Sequence, residues 1–86
     1  MRIAPCIIRN LNSEQNFKVQ EICIDNDVNK DDGDWMPSHT DDPVIIVYDM
    51  GKNGMYLTTE EDNNWKVDIE NSTELTYDQF LKLYDK

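Results

Sequence analysis

Short apolar runs separated by polar clusters give this chain its first outline. Residues 3–9, IAPCIIR, are rich in β-branched side chains and predict a strand. Pro5 has no N–H to give to a ladder, so this strand is expected at a sheet edge or with a bulge. Residues 10–16, NLNSEQN, have turn composition, and residues 17–24, FKVQEICI, alternate as a strand does. Phe17, Val19 and Cys23 fall on one side of it, and Lys18, Gln20, Ile22 and Ile24 on the other. VIIVYDM, residues 44–50, is the strongest strand, with an apolar run that suits a central position. Gly51-Lys52-Asn53-Gly54 then reads as a hairpin turn, and MYLTT, residues 55–59, as the returning strand. EEDNN, residues 60–64, is a second turn. WKVDI, residues 65–69, places Trp65, Val67 and Ile69 on one face and completes a predicted three-stranded meander.

The last predicted element is a helix. Thr76 followed by Gln79 forms a capping box, and Leu75 with Phe80 supplies the hydrophobic staple. Asp78 near its start and Lys82 and Lys86 near its end complement the helix dipole. Tyr77, Phe80, Leu81 and Tyr84 recur at the spacing of one helical stripe. The pattern predicts an α+β fold in one domain, residues 1–86. Its expected form is a small, mostly antiparallel sheet of about five strands, with one C-terminal helix packed on it.

Residues 25–43 follow neither period and contain Gly33, Pro37 and Pro43. Structureless connections beyond about 12–15 residues are usually functional or disordered. Trp35 and Met36 in the middle argue against a disordered spacer, which seldom carries a large apolar anchor.

Charge sharpens the interest of this loop. The chain carries 18 Asp and Glu against 8 Lys and Arg, a net charge of −10. Residues 1–20 contribute +2 and residues 44–86 contribute −5, whereas residues 21–43 alone contribute −7. Such a field repels nucleic acid and anionic membrane and attracts basic partners. Arg2, Arg9 and Lys18 interrupt the early apolar runs, so no secretory leader is expected. No run reaches the ~20 apolar residues of a membrane span. The expected compartment is the cytoplasm. Cys6 and Cys23 lack metal or redox spacing and are expected as reduced, buried thiols.

Candidate chemistry is sparse. An EF-hand needs alternating oxygen ligands, a glycine at the sixth position and a glutamate at the twelfth. Counting from Asp25 puts Lys30 and Met36 at those places; counting from Asp27 brings Gly33 one residue late and Ser38 twelfth. His39 is the only histidine, near Asp34, Asp41 and Asp42, which is too few ligands for zinc. No phosphate-cradling glycine loop or nucleophile–base pair is visible, so neither catalysis nor a cofactor is expected.

Recognition by charge remains. Asp25 and Asp27, Asp32 and Asp34, and Asp68 and Glu70 are spaced i, i+2, which in extended chain sets them about 6.5–7 Å apart on one face. That spacing is comparable with steps between phosphates. The candidate partner-binding residues are Asp25, Asp27, Asp31, Asp32, Asp34, Asp41 and Asp42, with Trp35 as an anchor. The alternatives are a calcium-binding module using residues 25–34, a nuclease-immunity protein, or an accessory subunit with a passive acidic surface.

The C-terminal run WKVDIENSTELTYDQF, a Trp-led strand before a capped helix, resembles the ends of many small phage proteins. Together with the chain's size and acidity, it is similar to the class of small bacteriophage-encoded inhibitors. That class includes nucleic-acid mimics and anti-restriction or anti-CRISPR proteins. The resemblance implies a non-enzymatic inhibitor whose partner is a basic nuclease, restriction or CRISPR effector. It transfers no individual residue role.

Overall fold

A computed structural model describes residues 3–30, 33, 35–49, 51–58 and 73–85. Among these residues it shows an α+β fold, with a five-stranded sheet and two helices. The hairpin forms as the sequence predicts. Ile45–Asp49, here β3, pairs antiparallel with Met55–Thr58, β4, placing Val47 opposite Leu57. A short 3-10 turn at Gly51–Asn53 joins them, and Gly51 and Gly54 take φ of +66° and +88°. Those values strain any residue with a Cβ.

Residues 17–24 are the main correction. They lie within a helix, α1, spanning Ser13–Asp25. Asn12 caps it: its side chain accepts from the Gln15 backbone N–H at 2.8 Å, and the Gln15 side chain accepts from the Asn12 N–H at 3.0 Å. The reciprocal pair satisfies two donors that a helix start would leave open. The buried stripe is Asn16, Val19, Gln20, Ile22 and Cys23, a helical spacing in which two members are amides.

Cys6–Ile8 forms β1. It lies inside the sheet, antiparallel to β3 on one side and parallel to Thr73–Leu75, β5, on the other. The edge position predicted from Pro5 is wrong because Pro5 stands just before the first paired residue and costs the ladder nothing. The 25–43 connection also begins differently. Asp25 ends α1, and Val28–Lys30 forms β2, parallel to β4. The order is β2-β4-β3-β1-β5, so the sheet is mixed rather than mostly antiparallel. β2 pairs with β4 on the side away from β3, the side on which the predicted meander would continue. Residues 65–69 lie outside the described residues.

β1 and β2 run parallel with β3 and β4 between them, and the path from β1 through α1 to β2 is the crossover that joins them. The predicted C-terminal helix is present as α2, Tyr77–Tyr84, which is short and is the second helix rather than the only one. Its capping box is complete: the Gln79 N–H donates to Thr76 Oγ1 at 3.1 Å and the Thr76 N–H to Gln79 Oε1 at 2.9 Å. Phe80 is fully buried, and Tyr77, Leu81 and Tyr84 pack at the margin of the same core.

Both helices cover one face of the sheet, and that core contains Ile3, Cys6, Ile8, Val19, Ile22, Cys23, Ile45, Val47 and Leu57. Each buried aliphatic side chain contributes about 1.5–3 kcal/mol. Side chains alternate through the pleat, so Ile7 and Ile46, opposed in register, form a second cluster with Val44 on the other face. Cys6 and Cys23 are free, buried thiols in the main core. Burial pushes the Cys6 thiol up from 9.0 to about 12. Cys23 is raised by burial and, secondarily, by the neighbouring Cys6. No described helix is long and apolar enough to cross a membrane.

Candidate acidic recognition surface

The acidic region starts where α1 ends. Asn26 closes the helix, donating its backbone N–H to Cys23 O and its side-chain amide to Ile22 O. Asp27 follows at φ +66°, in the left-handed region that Asp tolerates better than most residues. The chain therefore turns sharply between the exposed side chains of Asp25 and Asp27. These two do not share an extended segment, so the phosphate-like spacing expected of them is not realised. Asp32 with Asp34, and Asp68 with Glu70, lie outside the described residues.

Residues 35–43 run beside α1 and are fastened to it. Gln20, 3% exposed, meets Ser38 twice: its Oε1 accepts from the Ser38 N–H at 3.0 Å, and its Nε2 donates to Ser38 O at 2.8 Å. The same amide nitrogen donates to Asn16 Oδ1 at 2.6 Å, and Asn16 Nδ2 donates to Asp42 O at 2.7 Å. From the other side Lys30, 5% exposed, donates through Nζ to Met36 O at 3.1 Å and to Ser38 Oγ at 3.0 Å. His39 stacks on Phe17 with ring centroids 4.5 Å apart, and the Leu11 N–H donates to Pro43 O. Buried polar groups are costly unless bonded; Asn16, Gln20 and Lys30 all meet that condition.

This arrangement separates the candidate residues by role. Asp41 is exposed, like Asp25 and Asp27. Asp42 is half-buried, and its carboxylate accepts from the Val44 N–H at 3.0 Å, holding the entry to β3. It is a turn-forming residue first and a surface charge second. Asp31, Asp32 and Asp34 lie outside the described residues. Trp35 is 78% exposed and Met36 53%, two of the few large apolar side chains so placed among the described residues.

Sequence reasoning missed Lys30, Gln20 and Asn16. A lysine within an aspartate run looks like a surface residue, and both amides lie in stretches read there as turn and strand. The N-x-x-Q spacing of Asn12 and Gln15 was the available signal, since it would have placed Asn16 and Gln20 on one helical face.

Asp25 also borders a shallow cleft of about 250 Å³ between α1 and α2, lined by Lys18, Glu21, Ile22, Asn26, Tyr84 and Asp85 as well. Lys18 pairs with Glu21 at 3.6 Å inside it. Among the described residues no group of three or more His, Cys, Asp or Glu side chains is arranged to hold a metal ion. The chain matches no protein-family model, no curated protein and no solved structure.

Proposed function

We propose that this is a non-enzymatic acidic protein that binds and inhibits a basic nucleic-acid-binding or nucleic-acid-processing protein, its carboxylates standing in for nucleic-acid charge. The observation that carries this reading is the concentration of −7 in residues 21–43. Within that stretch Asp25, Asp27, Asp41 and Trp35 are all exposed. A field of this sign accelerates encounter with a cationic surface and weakens as salt is added. The relevant partner class is a nuclease, restriction or CRISPR effector with a channel lined by Lys and Arg.

The test is capture of such effectors by the immobilised protein at low and high salt, beside a variant with Asp25, Asp27 and Asp41 changed to Lys. Salt-sensitive capture by the native chain, inhibition of the captured enzyme, and loss of both in the variant are expected. Unchanged capture by the variant refutes the reading. Calcium titration in the same samples separates the calcium-module alternative: micromolar binding with a change in Trp fluorescence favours that module.

A further inference from the structure

Most acidic loops need only water around them, yet this one rests on a buried lysine and two buried amides. Lys30 holds Met36 O, Gln20 holds both backbone groups of Ser38, and Asn16 holds Asp42 O. Pro37, with φ fixed by its ring, lies between two of these anchored residues. The side chains immediately before it, Trp35 and Met36, point into solvent.

Resting on the charge-driven reading above, we propose that Trp35 and Met36 form a preformed apolar anchor. Asn16, Gln20 and Lys30 position it, and it fits an apolar pocket with a cationic rim on a protein partner. Holding a loop in its bound shape removes part of the ordering cost of association. An exposed tryptophan is the residue type that most often dominates an interface. A second copy of this chain is a poor occupant, because two bodies of charge −10 repel at contact distance. A cationic partner reverses that sign. Asn16, Gln20 and Lys30 are positioning residues and touch no partner themselves.

Two synthetic peptides of equal length and lysine content serve as probes, one with leucine between its lysines and one with serine. At low salt the native protein should bind both, with the leucine peptide about tenfold tighter. Trp35→Ala should abolish that preference while leaving the serine peptide unaffected. Gln20→Leu should accelerate hydrogen exchange at the Ser38 amide and reduce the preference several-fold. Ser38→Ala, which removes only the hydroxyl facing Lys30, provides the milder variant if Gln20→Leu fails to fold.

Equal binding of the two peptides, or a preference that survives Trp35→Ala, overturns the anchor and leaves the charge reading standing. A preference that persists although Ser38 exchange has accelerated overturns the positioning role. Failure to bind either peptide at low salt overturns the charge reading and the anchor together. Sedimentation showing a dimer that Trp35→Ala dissociates assigns the surface to a second copy and overturns the cationic partner.

Discussion

Raising the pH from 7 to 10 should destabilise this protein by about 3 kcal/mol through two thiols alone. Cys6 and Cys23 are buried, and both titrate well above the ordinary value of 9.0, Cys6 at about 12. For a thiol the neutral form is the protonated one, so the folded state retains its proton where the unfolded state has lost it. The contribution is complete below pH 9 and is lost as pH rises from there toward the folded values. Each thiol in that window costs about 1.4 kcal/mol per pH unit, which gives about 3 kcal/mol for the pair at pH 10. An 86-residue domain has roughly 4–13 kcal/mol in total, so the loss is a large share.

Urea unfolding in the presence of a reductant measures it. With a slope of about 1–3 kcal/mol per molar, the midpoint should fall by about 1–3 M. Alkali acts on the rest of the chain as well, so the control is the Cys6→Ala, Cys23→Ala double variant. It should be less stable at pH 7, because of the volume lost from the core, but flatter in its alkaline response. If both proteins lose stability in parallel between pH 7 and 10, the thiols are not the cause and the reasoning fails.

Two further outcomes follow from the packing. Phe80→Ala should cost about 3–5 kcal/mol and detach α2, freeing the Tyr84 hydroxyl that accepts from the Ala4 N–H at 3.2 Å; a urea midpoint within error of the native one contradicts this. Asn12→Ala and Thr76→Ala should each cost about 1 kcal/mol, readable as a drop of about 4–8 °C in Tm; a silent Asn12→Ala argues against the capped α1.

The elements readable from sequence were those with strong local chemistry. The 44–50 strand, its glycine turn and the T-x-x-Q helix all appear near their expected places. For α1, the buried face carries Asn16 and Gln20 where a simple amphipathic helix would carry leucine. Removing two apolar positions from a helical stripe leaves Phe17, Val19 and Cys23, which read equally well as strand alternation. The loop's anchoring residues thus concealed the helix that carries them. At the candidate site, the exposure of Asp25, Asp27, Asp41 and Trp35 agrees with their charge and context. The inward turn of Asp42 was not, because an Asx contact depends on backbone geometry rather than composition. The mixed sheet was beyond local patterning as well, since β2 and β5 are three-residue strands whose pairing direction is set by distant neighbours.

The parallel pairing of β1 with β5 imposes an order of assembly. Cys6–Ile8 cannot acquire their second neighbour until Thr73–Leu75 have been synthesised. Until then the growing chain presents one open side of a strongly apolar strand, and the core lacks Phe80. Non-local closure of this kind is slow and leaves edges exposed to other chains. A chain stopped at residue 72 should therefore pellet on centrifugation where the full chain stays dispersed. Equal behaviour of the two would show that β1 is protected by something other than its partner strand.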